Sequence, residues 1–115
     1  MTENSSISRL KAAKMRIADY AKASPEIMKS MGTLSAAAIK AGQFSTAERE
    51  LVAVAIAVVT HCDDCIVYHL DAARRHGAEE AQLVEALDVA IEMGGGPTLM
   101  YAARALEIFK ELKGS

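Results

Sequence analysis

Apolar residues along this chain recur at intervals of three and four, and no segment alternates apolar and polar residues as a half-buried strand would. In the first such segment Leu10, Ala13, Ile17 and Tyr20 fall on one helical face. The pattern predicts an all-α fold of about six helices. Their expected ranges are residue 7 to the low twenties, then 25–42, 46–60, 62–76, 79–93 and 98–112.

Capping residues support several of these boundaries. Ser24 precedes Pro25 and is expected to cap the second helix, because proline's missing N–H costs nothing in the first helical turn. Ser45 with Glu48 three residues later matches a capping box and predicts the start of the third helix. Gly77 follows three basic residues and predicts the end of the fourth helix.

The predicted third helix is apolar on all sides through residues 51–59. These nine residues are far fewer than the roughly 20 that a helix needs to cross a bilayer. A helix without a polar face must be covered on every side, and a chain of this length leaves about a third of its potential surface exposed. We therefore expect several copies to pack together as an obligate homo-oligomer.

Composition and charge narrow the possible function classes. The chain is 51% hydrophobic but only 4% aromatic, so its core must be aliphatic, and its 115 residues predict one domain over 1–115. Thirteen Lys and Arg against 15 Asp and Glu give a net charge of -2, without the basic surface of a nucleic-acid-binding protein. Neither a nucleic acid nor a membrane is an expected partner. The N-terminal segment has no apolar run typical of a secretory signal, so we expect a cytoplasmic protein.

The two cysteines, Cys62 and Cys65, indicate redox or metal chemistry rather than a disulfide scaffold. On a helix, positions 62, 65 and 69 fall within an arc of about 60°, so His69 shares a face with both sulfurs. A helix N-terminus lowers the pKa of a nearby thiol, and an imidazole one turn away can accept its proton. The segment is therefore a candidate reactive dithiol.

Glu50 joins these residues by a simple length calculation. If the chain folds back near Thr60, the rise of 1.5 Å per residue puts Glu50 about 15 Å before the turn and His69 roughly 12 Å after it. The two side chains would then lie at similar heights. A carboxylate there could orient and polarise His69, which predicts a relay of Glu50, His69 and one cysteine.

Three neighbouring residues are auxiliary candidates. Asp64 lies directly before Cys65, where its negative charge would disfavour a thiolate. His61 could contribute a compensating positive charge. For Tyr68, lining a pocket and packing at a subunit interface are both open.

A zinc site is the main alternative from the residues alone. Cys62, Cys65 and His69, with Glu50 or His61, would supply four ligands. Structural zinc usually draws its ligands from a loop or from two distant pairs, so the principal expectation is a site without metal. A zinc-binding or purely structural module remains the alternative.

The spacing of four residues resembles the motif of the AhpD-like alkylhydroperoxidases in the carboxymuconolactone decarboxylase superfamily. These residues are Glu50, Cys62, Cys65 and His69. The flanking patterns H-x-x-x-A and G-A-x-x-x-x-[IL]-x-E-A match as well, and the resemblance extends from Pro25 over nearly all the remaining chain. It implies an all-helical fold, assembly as trimers or hexamers, and thiol peroxidase activity. The superfamily's namesake decarboxylases lack the cysteine pair, so lactone decarboxylation is not expected.

The resemblance also implies a role for each residue. Cys65 would attack the peroxide, and Cys62 would donate a proton and then form a Cys62–Cys65 disulfide, with Glu50 and His69 as the proton relay. One departure is Asp64, because the best-studied AhpD proteins have a histidine immediately before the second cysteine.

The same family properties imply the partners. No tightly bound cofactor is expected; an external dithiol such as a lipoyl group on another protein would restore the thiols, and a peroxiredoxin could accept electrons from them. Because aromatic residues are scarce, we expect a small aliphatic cleft over the cysteines for a compact hydroperoxide or a lipoyl arm. Disulfide exchange with proteins, without efficient peroxidase activity, is the alternative that keeps the dithiol.

Overall fold

The structure is a computed structural model that describes residues 5–114; residues 1–4 and 115 lie outside the described part. Within it the chain forms six helices and no strand, so the all-helical prediction is confirmed. The helices are α1 (Ser6–Ala23), α2 (Pro25–Ile39), α3 (Thr46–Val59), α4 (Asp63–Arg75), α5 (Glu80–Gly94) and α6 (Gly96–Lys113).

The predicted helix starts differ in how they are capped. At α3 the Glu48 N–H donates to the Ser45 hydroxyl at 3.1 Å and the Ser45 N–H donates to the Glu48 carboxylate at 2.8 Å, which confirms the capping box. At α2 Ser24 is the N-cap residue and Pro25 begins the helix, as predicted, but the Ser24 side chain makes no capping hydrogen bond. That helix also ends at Ile39 rather than at Gly42.

A single residue, Gly95, joins α5 to α6. Its φ of 75° lies in the left-handed region that glycine adopts without strain. A side chain at the preceding Gly94 would collide with Thr98. These two glycines therefore let α6 begin at Gly96, two residues earlier than the sequence predicts.

The core lies between α3, α4, α5 and α6. Helix α3 packs against both α4 and α5, and α6 closes the other side by contacting α4 and α5. Helix α1 lies against α4, whereas α2 contacts only α1 and α3 and has no buried residue. The largest fully buried apolar side chains are those of Phe109, Ile66, Leu70, Leu83, Val54, Val58 and Val67.

One side of α3 faces this core and the other does not. Leu51 and Val54 are buried, whereas Val52 and Ile56 are exposed in the single chain. A single chain therefore covers only half of the apolar helix. Large exposed apolar side chains also occur elsewhere on the surface, among them Met15, Ile27, Leu34, Met93 and Met100. No helix among residues 5–114 is long and apolar enough to cross a membrane.

Buried Asp71 ties α1 to α4. Its carboxylate accepts hydrogen bonds from Arg74 at 2.8 Å and Arg75 at 2.9 Å, and Lys14 of α1 lies 3.9 Å away. Burial raises the pKa of Asp71, but the hydrogen bonds and positive charges of the two arginines outweigh it and hold this pKa below its usual value. The carboxylate is therefore most stabilising when it is ionised.

We expect Asp71→Asn to lower the free energy of unfolding at pH 7 by about 1–3 kcal/mol, because a neutral amide replaces the buried carboxylate that accepts charged hydrogen bonds from Arg74 and Arg75. The folded-state pKa lies below the reference value of 3.8, so this contribution is present above about pH 4 and is lost as the pH falls through the folded-state pKa. Urea unfolding from pH 7 to pH 2.5 measures the difference between the two proteins. The exposed Asp88→Asn is the control, and a difference that persists undiminished in acid would contradict the assignment.

Candidate functional site

Cys62 and Cys65 form a disulfide at the N-terminus of α4, with their Cα atoms 5.2 Å apart. Cys62 is the N-cap residue, and its sulfur accepts a hydrogen bond from the Cys65 N–H at 3.2 Å. A sulfur in this position stands where a capping hydroxyl or carboxylate usually accepts, and the helix terminus favours negative charge on it. In general, a helix N-terminus favours the thiolate form of a cysteine placed there.

The turn that presents the disulfide is fixed on the side of α6. His61 has a φ of 58°, an uncommon conformation for a non-glycine residue, and its ring stacks on Tyr101 with centroids 4.5 Å apart. Arg104 lies 5.2 Å from the Tyr101 ring centroid and 3.2 Å from the Asp63 carboxylate. His61 thus anchors the turn between α3 and α4, and it is absent from the walls of the cavity described below.

Glu50 and His69 meet across the α3–α4 hairpin. The Nδ1 atom of His69 lies 2.6 Å from Oε1 of Glu50. Glu50 is 2% exposed, while the His69 side chain keeps 30% of its surface accessible. The bond engages Nδ1, so Nε2 is the ring nitrogen left for a ligand. The structure thus brings these two predicted residues together.

The dithiol opens onto a cavity of about 820 Å³ between α1, α2 and α4. Cys65, His69, Asp64 and Tyr68 belong to its wall, whereas Cys62 does not. The volume is near the upper end of the roughly 300–1,000 Å³ typical of small-molecule sites. The small cleft expected from composition is therefore wrong in size, although the lining is mostly apolar: α1 and α2 contribute Ala13, Ile17, Tyr20, Met28, Met31, Ala36 and Ile39.

Two auxiliary candidates take defined positions in this wall. The Tyr68 ring stands edge-on to His69, with centroids 5.3 Å apart and planes 74° apart, so it lines the cavity. Asp64 accepts a hydrogen bond from Arg16 of α1 at 2.9 Å. The carboxylate beside Cys65 therefore has a cationic partner from another helix.

Sequence reasoning missed the contribution of α1 and α2 to this site. The spacing of Ile17 and Tyr20 marks an apolar face of α1, but nothing in it specifies that this face looks toward Cys65. Arg16 carries no motif signal at all. A second cavity of about 420 Å³ lies between α2 and α3, and His69 belongs to the walls of both cavities.

The zinc alternative gains no support from this arrangement. In the part of the chain from residue 5 to 114, the structure groups no three His, Cys, Asp or Glu side chains in a cluster that could hold a metal ion. The disulfide engages the sulfurs of both Cys62 and Cys65.

Comparisons with known proteins agree on one family. The model of the carboxymuconolactone decarboxylase family matches residues 25–107. An uncharacterised protein of Cupriavidus necator is 46% identical over 90 residues, which cover 78% of this chain and 80% of that protein.

Two solved structures share the fold. The apo form of a carboxymuconolactone decarboxylase family protein from Legionella pneumophila superposes with a TM-score of 0.90 at 37% identity, covering 96% of this chain and 98% of that one. A member of the same family from Thermotoga maritima, with a possible involvement in the antioxidative response, gives a TM-score of 0.81 at 27% identity. That alignment covers 92% of this chain and 91% of the other.

Proposed function

The chain belongs to the carboxymuconolactone decarboxylase family, and from this premise we propose that it is an AhpD-like, thiol-dependent hydroperoxide reductase. The observation that supports the proposal most is the Cys62–Cys65 disulfide at the wall of an apolar cavity. The buried Glu50–His69 pair beside it supplies a proton relay. Peroxide reduction by this route uses both a reactive sulfur and a group that transfers protons.

In the first step the Cys65 thiolate attacks a peroxide oxygen. A sulfur–oxygen bond forms as the oxygen–oxygen bond breaks, and the alkoxide leaves as an alcohol after taking a proton from the site. The products are the alcohol and a Cys65 sulfenic acid. Cys65 is the attacking residue in this proposal because its side chain lines the cavity and that of Cys62 does not.

In the second step Cys62 attacks the sulfenic sulfur of Cys65. A sulfur–sulfur bond forms, and the hydroxyl group leaves as water with a proton passed through His69. Glu50 stabilises the imidazolium that exists between the two transfers. The result is the disulfide in which the structure holds the two cysteines.

An external dithiol completes the cycle by reducing the disulfide with two electrons. Its thiolate attacks the cavity-facing Cys65 sulfur and Cys62 leaves, since the helix terminus and the Cys65 N–H stabilise a Cys62 thiolate and a more acidic thiol is the better leaving group. The overall reaction converts one hydroperoxide and one dithiol into an alcohol, water and a disulfide. A lipoyl group on a partner protein is the proposed donor, in the cytoplasm, where thiol reductants are maintained.

The test of this function is peroxide consumption with dihydrolipoamide as the electron donor. Alkyl hydroperoxide loss should require both the protein and the dithiol, and mass spectrometry should find the Cys62–Cys65 disulfide after peroxide and the free thiols after reduction. If peroxide is spared while the disulfide still exchanges with thiols, the activity is disulfide exchange. Asp64 at the position of the family histidine is the residue that favours this second function.

We also propose that the protein works as a trimer or hexamer, because exposed Val52 and Ile56 leave an apolar face of α3 uncovered. Light scattering after size exclusion at micromolar concentration should give three or six times the 12.3 kDa chain mass. Ile56→Glu should shift the mass toward one chain, because it places a charge on that face. Ala81→Glu, on an exposed position of α5, is the control. A wild-type protein of monomer mass would overturn the proposal.

A further inference from the structure

We propose that Arg16 is a positioning residue of the dithiol site, which neutralises Asp64 and thereby lets Cys65 react as a thiolate beside an acidic neighbour. The inference rests on the proposed dithiol function and adds to it a residue from outside the motif. Arg16 acts through Asp64 rather than on the substrate.

The difficulty that Arg16 resolves lies in the sequence between the cysteines. Asp64 is bonded directly to Cys65 in the chain and shares the cavity wall with it. A carboxylate so close to a thiol disfavours the thiolate and raises its pKa. An unpaired Asp64 would therefore oppose the chemistry proposed for Cys65.

The geometry supplies the compensating charge from α1. Nη2 of Arg16 lies 2.9 Å from Oδ2 of Asp64, across 48 positions of sequence. Both side chains are 61% exposed, and such exposed ion pairs contribute only about 0–1 kcal/mol to folding. Because Arg16 lines the same cavity as Cys65, we expect the pair to matter more for the net charge beside Cys65 than for the stability of the fold.

The other carboxylates around the dithiol have partners of their own. Glu50 of α3 is bound to His69, and Asp63 is paired with Arg104 of α6. Among the described residues, Arg16 is the partner available to Asp64. The charged or titratable side chains that line the cavity together with Cys65 are those of Arg16 and Tyr20 on α1, Glu50 on α3, Asp64, Tyr68, His69 and Arg75 on α4, and His76 at its end. At the N-terminal end of α4 lie those of His61, Asp63, Tyr101 and Arg104.

The measurement isolates one thiol. In a Cys62→Ser background, the rate of Cys65 alkylation by iodoacetamide is followed from pH 5 to pH 10, which gives the Cys65 pKa without any peroxide turnover. Arg16→Ala should raise this pKa by about 0.5–1 unit, so that alkylation at pH 7 slows about three- to tenfold. Because the charges are exposed, the shift should shrink in 0.5 M KCl.

Three further variants separate charge from structure. Arg16→Lys should leave the Cys65 pKa close to its value with Arg16, because lysine keeps the positive charge. Asp64→Asn should lower the Cys65 pKa, because it removes the carboxylate and leaves the positive charge of Arg16 without its partner. In the double variant Arg16→Ala with Asp64→Asn, the Cys65 pKa should return near its value in the Cys62→Ser protein. Lys14→Ala removes another cation and ion pair of α1, but one outside the cavity wall, and it should cause no shift.

Two results would overturn the inference. One is an unchanged Cys65 pKa in Arg16→Ala, and the other is a Cys65 pKa in the double variant as high as in Arg16→Ala alone. If Arg16→Ala fails to fold by circular dichroism, Asp64→Asn decides, since an unchanged Cys65 pKa there is equally incompatible. The readout also keeps the two proposals apart. If peroxidase activity is absent but the Cys65 pKa shifts as expected, only the proposed function fails. If activity is present but the pKa does not shift, only the role of Arg16 fails.

Discussion

Cys65→Ser should abolish dithiol-dependent peroxide reduction, with a loss of at least about a thousandfold in kcat/KM. The Cys65 side chain is the cysteine side chain in the wall of the large cavity, and a serine hydroxyl can neither accept oxygen from a peroxide nor form a disulfide. Steady-state peroxide loss with dihydrolipoamide measures the effect. Helical content by circular dichroism should be unchanged, since Cys65 is a partly buried residue at the start of α4.

Cys62→Ser is the matched control for this experiment. It keeps the attacking sulfur but removes the resolving one, so one equivalent of peroxide should be consumed per chain and no further turnover should follow. A sulfenic-acid probe such as dimedone should label Cys65 in this variant. If Cys65→Ser consumes one equivalent of peroxide per chain, or if the probe labels Cys62 in the wild type, the two cysteines have the opposite roles. Full turnover in Cys65→Ser would contradict an attacking role for Cys65.

Glu50→Gln should lower kcat about a hundredfold, within the range of about 10²–10⁴ that general acid–base groups contribute. Glutamine keeps the size and a hydrogen bond to His69, but it removes the buried negative charge that stabilises the imidazolium. His69→Ala should cost at least as much. Because the two residues act as a unit, the double variant should be little worse than His69→Ala alone.

Glu48→Gln provides the control on the same helix. Glu48 is exposed and belongs to the capping box at the start of α3, so its replacement can affect helix stability but not proton transfer. Peroxide reduction should remain near the wild-type rate. Activity in Glu50→Gln equal to that in Glu48→Gln would remove the carboxylate from the proposed relay, and additive losses in the Glu50, His69 double variant would show that the two residues act separately.

Two arginines pair with the two acidic residues that lie between the cysteines. Arg16 comes from α1 and Arg104 from α6, and they pair with Asp64 and Asp63 respectively. The acidic residues between the cysteines are thus held from two different helices. The N-terminus of α4 keeps its favourable field for a thiolate because neither carboxylate is left unpaired beside it.

Helix content, most helix ends and the contact between Glu50 and His69 could all be predicted from sequence. The reason is that each depends on short-range rules: apolar spacing identifies a helix, a side chain such as Ser45 caps it, and the rise per residue fixes heights across a tight hairpin. The prediction failed for the side-chain cap of α2 and for the start of α6, where the backbone conformation differs from what the residue types suggest. The Ser24 side chain makes no capping hydrogen bond to α2, and Gly95 with its positive φ lets α6 start early.

The tertiary structure alone decided what surrounds the dithiol. The cavity is bounded by α1, α2 and α4, which come together only in the folded chain, and the pairing of Arg16 with Asp64 and of His61 with Tyr101 joins residues from distant helices. Periodicity tells which face of a helix is apolar, but the partner of that face depends on how all the helices pack together. The sequence by itself therefore determined the helices and the candidate site residues, while packing between helices determined the cavity that these residues face and the charged side chains beside them.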